Sequence, residues 1–399
     1  MSKTGYFQYN MRAVVHCAPG SIIRLPNLFA GMGAKRVLLM SDEGLKKVGI
    51  VDQVVDVFEN MSSGNMPKLV GVYAEVSPDA GCNTINAALA YARQVSADAI
   101  LAVGGGSVMD ASKGVKYSLH HNIANFREVV SGGFRMESWP KAQPIPIPHI
   151  AVPTTAGTGA EVSAAGVYQD EETDIKCNLA VPFIEADMAV LDANLTLGLP
   201  DFLTASTGMD ALTHALEGVA SPSANHFSDA HSIIAAQLIE KTLPTAVADG
   251  KNVDARNDML QASTMAINGF IASLNAIPVH NCAHAFGRLY HVPHGDANAV
   301  LLPIVMEVLP EFYLPNAKRL ANALNMNVEG SDDVILAAVV ERLKAFQKEI
   351  GCATDFKRWG AKVEDMENIV MAIATDPAAL FYPIPPDRIQ QIAIKAAGA

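Results

Sequence analysis

Hydrophobic and polar positions fall into two textures along the 399-residue chain. In the first half, short apolar runs at 36–40, 69–73, 99–103, 149–152 and 188–191 are separated by segments with apolar residues at helical spacing, such as 83–97 (NTINAALAYARQVSA). Several runs are almost continuously apolar, which is the pattern of strands buried on both faces of a parallel sheet. The alternation predicts an α/β domain with an open, doubly wound, mostly parallel sheet. Prolines at 140, 144, 146, 148 and 153 exclude a helix from 138–155 and predict an extended passage feeding the run at 149–152. After about residue 193, segments 226–242, 254–275, 331–350 and 386–398 become rich in Ala, Leu and Ile with a period near 3.6, and β-branched runs become scarce. The expected division is therefore an α/β domain at 1–192 and an all-α domain at 193–399.

Composition narrows the class. Half of the residues are hydrophobic and 18% are charged, enough to bury a large core. The 29 basic and 41 acidic residues give a net charge of −12, so no basic footprint exists for a nucleic-acid backbone. The N-terminal stretch has no signal-peptide layout, and no window approaches 18 uncharged apolar residues, so no membrane association is expected. The five cysteines (Cys17, Cys82, Cys177, Cys282, Cys352) are scattered and odd in number. They suit free thiols in a reducing compartment, and the expected location is the cytoplasm.

Residues 99–114 read AILAVGGGSVMDASKG: an apolar strand, then Gly104, Gly105 and Gly106, then Ser107 and a helix. Ser107 with Asp110 three residues on has the form of a capping box. Glycines let the backbone approach a ligand, and a helix N-terminus offers free N–H groups to a pyrophosphate. A glycine triplet alone is equally a tight turn with no ligand. Two features favour the ligand. Asp42 directly follows the run at 36–40, where a carboxylate can accept bonds from a ribose diol. Thr154, Thr155 and Thr158, in the small-residue stretch PTTAGTGAE at 153–161, follow the run at 149–152. The acid precedes the glycines, so the arrangement differs from the usual dinucleotide fingerprint.

Most of the eleven histidines fall between 214 and 294. Asp210 and His214 are four apart on one helical pattern, His280 and His284 repeat that spacing on another, and His294 follows in a turn-like VPHG. A carboxylate and several imidazoles from different elements make a site for a divalent first-row metal. Spacing alone does not choose four ligands from Asp210, His214, His231, His280, His284, His291 and His294.

Taken together, GGGSVMDASKG (104–114), PTTAGTGAEVS (153–163), GMDALTHALEG (208–218), HNCAHAFG (280–287) and PHGDANAVLLP (293–303) resemble the iron-containing (group III) alcohol dehydrogenase family, from about residue 8 to the C-terminus. The resemblance implies an N-terminal cofactor domain, an all-helical C-terminal domain and an active site in the cleft between them. It implies Asp210, His214, His280 and His294 as metal ligands, with Fe²⁺ expected and Zn²⁺ possible. His284 matches a histidine near nicotinamide and substrate, expected to orient the substrate or relay its proton, and His291 becomes a bystander. Gly104, Gly105, Gly106, Ser107 and Asp110 match the pyrophosphate turn, Thr154, Thr155 and Thr158 the second cofactor loop, and Lys176 a cofactor-contacting lysine. Asp42 matches a position that helps set cofactor choice, and its charge favours NAD over NADP. Two departures stand out: Asp79-Ala80 replaces a common Asn-Pro, and Ala160 replaces a common serine.

The activity so implied is NAD-dependent interconversion of a short primary alcohol or diol with its aldehyde, by hydride transfer from a metal-bound alkoxide. Phe270, Leu274 and Cys282 give an apolar candidate lining that favours a neutral substrate, with Arg288 the nearest cation along the chain. The family also implies a homo-oligomer, usually a dimer. A polyol (glycerol-like) or hydroxyacid (4-hydroxybutyrate-like) dehydrogenase of the same superfamily is the alternative within the class. A metal-dependent hydrolase or lyase, or a non-enzymatic scaffold, are the alternatives outside it.

Overall fold

A computed structural model of the chain describes residues 7–61, 64–138 and 142–398; Pro140 of the proline-dense passage and residues 1–6 of the N-terminal stretch lie outside them. The chain forms two compact units. An α/β unit comprises Met11–Thr155 and Gly159–Leu197, and a helical unit comprises the described residues of Met1–Asn10, Ala156–Thr158 and Gly198–Ala399.

Among the described residues the α/β unit has nine strands: β1 (Val14–Cys17), β2 (Arg36–Met40), β3 (Lys68–Tyr73), β4 (Ala99–Gly104), β5 (Phe134–Met136), β6 (His149–Pro153), β7 (Ala165–Asp170), β8 (Ile175–Ala180) and β9 (Met188–Leu191). Six of them pair in the order β1-β9-β6-β4-β2-β3, every pair parallel. The continuous apolar runs are explained by packing on both faces. Leu38, Met40, Ile100, Ala102 and Ala151 feed one core, while Val37, Leu39, Leu101, Val103, Ile150 and Val152 feed another. This is the doubly wound sheet that the sequence predicts.

The remaining strands are absent from the sequence reading. A second sheet, β5-β8-β7, combines the antiparallel pair β7–β8 with β5 parallel to β8. Its strands and the edge strand β1 are short or partly exposed, so they lack a continuous apolar signature. Asp192, fully buried just past β9, accepts hydrogen bonds from the backbone N–H groups of Gly20 at 2.8 Å, Ile22 at 3.0 Å and Asn194 at 3.1 Å. That carboxylate ties the end of β9 to the turn that follows β1.

In the helical unit the long helix Asp201–Ala220 is buried almost throughout from Thr204 onward. It packs against His226–Ala248 and Val253–Ala272, and further helices Pro278–Tyr290, His294–Val308, Asp332–Glu349, Met366–Thr375 and Pro386–Ala396 complete the bundle. The first of its partners runs six residues beyond the expected end at 242, through Pro244. His294 is likewise not in a turn but is the first residue of a helix, whose N-cap is Pro293. Among the described residues no single helix is long and apolar enough to cross a membrane.

Small residues set the spacing of the central helices. A Cβ on Gly269 would lie 2.1 Å from Ser232 Oγ and 2.8 Å from the Ser232 backbone nitrogen, and one on Gly218 would lie 2.5 Å from the same hydroxyl. Backbone cannot swing aside as a side chain can, so a methyl at 269 must push two helices apart. Overpacking of this kind costs roughly 1–3 kcal/mol. Gly269→Ala is therefore expected to lower the urea-unfolding midpoint measurably, whereas Gly198→Ala, with nothing within 4 Å of the added Cβ, leaves it in place.

Candidate active site

The glycine-rich turn lies where strand meets helix. β4 ends at Gly104, and the helix Gly106–His120 begins two residues later with Gly105 as its N-cap. A Cβ on Gly104 would sit 2.5 Å from Val108 Cγ2, so that glycine lets the helix close onto the turn. Gly105, Gly106 and Ser107 line a groove of about 580 Å³ together with Asp42, Glu43 and Glu75. Ser107 is not the helix cap: no side chain caps this helix, and its hydroxyl accepts instead from the Asp79 N–H at 3.1 Å. The capping-box expectation is thereby corrected, and the helix keeps its first N–H groups clear of side-chain oxygens.

The other predicted cofactor residues divide. Asp42 caps the short helix Glu43–Lys47, its Oδ1 accepting from Leu45 N–H at 2.9 Å. Thr154 N–H donates to Gly104 O at 2.9 Å, and Thr155 Oγ1 lies 3.5 Å from where a Cβ on Gly105 would be, so both flank the turn. Lys176 Nζ donates to Asp79 Oδ1 at 3.2 Å, and Asp79 in turn reaches Ser107. Asp79 has φ of 59°, the left-handed region that Asp and Asn tolerate best, so the departure from asparagine preserves the backbone requirement. Asp110 is outside the groove lining. Its oxygens accept from Lys113 Nζ and from Val167 N–H, both at 3.0 Å, which fastens the helix to β7. Thr158 belongs to the helical unit, apart from Thr154 and Thr155 in this division.

The histidine cluster lies within the helical unit. Asp210 and His214 project from one face of Asp201–Ala220, His280 and His284 from Pro278–Tyr290, and His294 from the start of His294–Val308. Ligand atoms of Asp210, His280 and His294 all lie within 4.8 Å of one another. Asp210 Oδ1 is 3.8 Å from His280 Nε2 and 3.5 Å from His294 Nε2. The His214 ring stacks on His280 at 4.6 Å between centroids, and its buried Nδ1 has no hydrogen-bond partner among the described residues.

Three residues that the sequence reading missed complete the arrangement. Glu217, seven residues after Asp210 on the same helical face, is buried, with Oε1 accepting from Val279 N–H at 2.7 Å and Oε2 hydrogen-bonded to His280 Nδ1. With the Nδ1 proton directed at a carboxylate, Nε2 faces the cluster; carboxylates hold metal-binding imidazoles in this way. Asn298, four residues after His294, donates through Nδ2 to Asp210 Oδ1 at 2.7 Å and lies 3.3 and 3.2 Å from the Nε2 atoms of His280 and His294. Asp376 Oδ2 lies 3.2 Å from His284 Nδ1. The i+7 and i+4 spacings of Glu217 and Asn298 are legible signals, whereas nothing in spacing links Asp376 to His284, 92 residues away.

Burial and charge separate the protonation states. Burial pushes His214 down to about 4, against the pull of Asp210, so its imidazole is neutral at pH 7. Burial would also lower His280, but Glu217 and Asp210 overcome it and raise that histidine to about 9. Burial opposes the ionisation of Asp210, yet His214, His294 and His280 hold its carboxyl well below the usual range. A buried carboxylate, a neutral imidazole with an orphaned nitrogen and two further imidazole nitrogens form a donor set suited to a divalent cation.

Other candidates lie elsewhere. His231 Nε2 is 2.7 Å from Tyr9 Oη, His291 terminates the helix Pro278–Tyr290 in a left-handed conformation, and Arg288 is exposed. Of the expected lining, Phe270 meets His214 and His280 at centroid distances of 4.9 and 5.2 Å, while Leu274 is 53% exposed. Cys282 is fully buried, so it can line no open site.

The chain matches known proteins along most of its length. The family model described as iron-containing alcohol dehydrogenase matches residues 13–193, and that described as Fe-containing alcohol dehydrogenase family, C-terminal, matches residues 204–397. Long-chain-alcohol dehydrogenase 1 of Geobacillus thermodenitrificans is 32% identical over 357 residues, 89% of this chain and 87% of that protein. NADPH-dependent butanol dehydrogenase of Clostridium saccharobutylicum is 32% identical over 364 residues, 90% and 88% of the two chains. A crystal structure of 1,3-propanediol oxidoreductase superposes with a TM-score of 0.88 at 31% identity, over 98% of this chain and all of that one.

The Glu217–His280 pair gives a pH-dependent prediction. A histidine raised from 6.5 to about 9 on folding stabilises the metal-free protein fully below pH 6.5, and that contribution is lost as pH rises through 9. NMR titration of metal-free protein should show His280 deprotonating near pH 9. In Glu217→Gln the midpoint should fall by one or more units, and the fall in stability between pH 6.5 and 9 should flatten.

Proposed function

Because the chain belongs to the iron-containing alcohol dehydrogenase family, we propose that it interconverts a short primary alcohol or diol with its aldehyde, using NAD and a divalent metal held by Asp210, His214, His280 and His294. The observation that carries the reading is the convergence of Asp210, His280 and His294 beside His214, three of whose four side chains are buried. Fe²⁺ is the expected ion, and Zn²⁺ suits the same donors. When bound, the metal supplies Lewis acidity toward a substrate oxygen, and the nicotinamide accepts or returns the hydride.

The chain's own residues do the rest. Glu217 fixes the tautomer of His280, and Asn298 donates to the Asp210 oxygen that faces His280 and His294. His284 is the proposed catalytic residue. Asp376, in hydrogen-bond range of Nδ1, holds the ring so that Nε2 is left to take or return the hydroxyl proton. Phe270 gives the cluster an apolar wall, which suits the alkyl part of a neutral alcohol better than a second carboxylate. The names of two relatives, a butanol dehydrogenase and a 1,3-propanediol oxidoreductase, support that substrate class. On the α/β unit, the glycine turn with the start of Gly106–His120 receives the pyrophosphate, flanked by Thr154 and Thr155 and bordered by Lys176 through Asp79. Asp42 meets the ribose and favours NAD. The five free cysteines suit a reducing, cytoplasmic setting.

The test is NADH formation from NAD and a panel of short alcohols and diols, by anaerobically iron-loaded protein with and without a chelator. Chelation should abolish turnover. Asp210→Ala should retain less metal and turn over roughly 100-fold more slowly or worse. Turnover that survives metal removal, or NADH binding with hydroxyacids as the sole substrates, would overturn the corresponding part of the proposal.

A further inference from the structure

The C-terminal ends of three neighbouring strands build the cofactor groove, and each brings different chemistry. β2 pairs with β4 on one side and β3 on the other, in parallel. Gly105, Gly106 and Ser107 follow β4, Asp42 follows β2, and Glu75 follows β3. Backbone pairing continues past the strands. Ser41 N–H donates to Tyr73 O at 2.8 Å and Val76 N–H donates to Ser41 O at 3.1 Å, which brings the stretch around Glu75 alongside Asp42. Both carboxylates, with Glu43, line the same groove as the glycines, and among the described residues its lining contains neither Lys nor Arg. The nearby Lys47 ammonium is engaged by Glu43 at 2.8 Å.

A dinucleotide whose pyrophosphate lies on the turn after β4 has its adenosine running outward over β2 toward β3. Asp42 would meet that ribose with one oxygen already committed to Leu45 N–H, at 2.9 Å. Glu75 is one strand farther out along that path, in the same groove lining as Asp42. We propose that Glu75 is a second specificity-determining residue, which acts with Asp42 to exclude the 2′-phosphate of NADP. This inference rests on the NAD reading above. Because two strands supply the repulsion, removing Asp42 alone leaves the groove unfavourable to NADP. Against a phosphate of charge about −2, one carboxylate about 6 Å away in a solvated groove is worth about tenfold in affinity.

The experiment measures NADH and NADPH dissociation constants, from the fluorescence of the reduced nicotinamide, for the full chain and for D42S, E75Q and the double variant. Serine keeps the helix cap at position 42, and Glu75 is exposed, so each substitution should leave the fold intact. The wild type should favour NADH. E75Q should narrow the preference about tenfold with NADH affinity almost unchanged, D42S should narrow it by a similar factor, and the double variant should approach their product, about 100-fold. Raising salt should tighten NADPH binding to the wild type and do little for the double variant. A wild type that favours NADH but an E75Q variant with the same preference overturns the inference and leaves the NAD reading standing. Equal loss of both cofactors in E75Q also overturns it, since Glu75 would then serve the ribose itself. A wild type that binds NADPH at least as tightly as NADH overturns the NAD reading, and the inference falls with it.

Discussion

Asp210, His214, Glu217 and His280 are all buried in one helical core, where ionisable groups are tolerated only if their protons are assigned. The Glu217–His280 hydrogen bond makes that assignment. It directs one ring proton away from the cluster, leaves the opposite nitrogen facing Asp210, and spends both Glu217 oxygens on Pro278–Tyr290, through His280 and the Val279 amide. Two helices are thereby clamped by a single side chain. The close crossing at Gly218, Gly269 and Ser232 fixes the other side of Asp201–Ala220. A helix that carries three functional side chains, Asp210, His214 and Glu217, is thus located from two directions.

The α/β unit solves a different problem with the same economy. The glycine turn needs a strand end, a helix start and a neighbouring strand end in register, and the parallel ladder provides all three. Asp79 shows how far that demand reaches. Its left-handed backbone, its bond to Ser107 and its ion pair with Lys176 bring a residue from the far side of β3 and one from β8 to the rim of the turn.

Much of this was legible in the sequence because it is local. A strand running into three glycines and a helix can be read from 99–114, and the pairs Asp210–His214 and His280–His284 announce themselves by a spacing of four. Asp42 and Glu75 differ in legibility for a physical reason: Asp42 abuts a clear apolar run, whereas Glu75 gains meaning only when β3 is known to lie beside β2. Glu217 and Asn298 were within reach of helical periodicity but carry no rare chemistry, so nothing set them apart. Asp376 needed the tertiary fold. The strands β1 and β5 were silent because they bury none of their three or four residues, and β7 and β8 because one-sided burial over six residues leaves too few positions for a pattern. Ser107 misled because a capping-box sequence can be satisfied from outside its own helix, here by Asp79.

The division of the chain has an evolutionary consequence. Ala156–Thr158 belongs to the helical unit although both its flanks belong to the α/β unit, and the described residues before Met11 do so as well. Neither unit is one continuous stretch of sequence. A single genetic crossover near residue 197 would therefore deliver a helical unit without its inserted tripeptide, whose Gly157 lies so close to Thr207 that an added Cβ would meet it at 2.9 Å. Such a protein resists inheritance as two interchangeable modules. The two units are therefore expected to change together, by substitution rather than by exchange of halves.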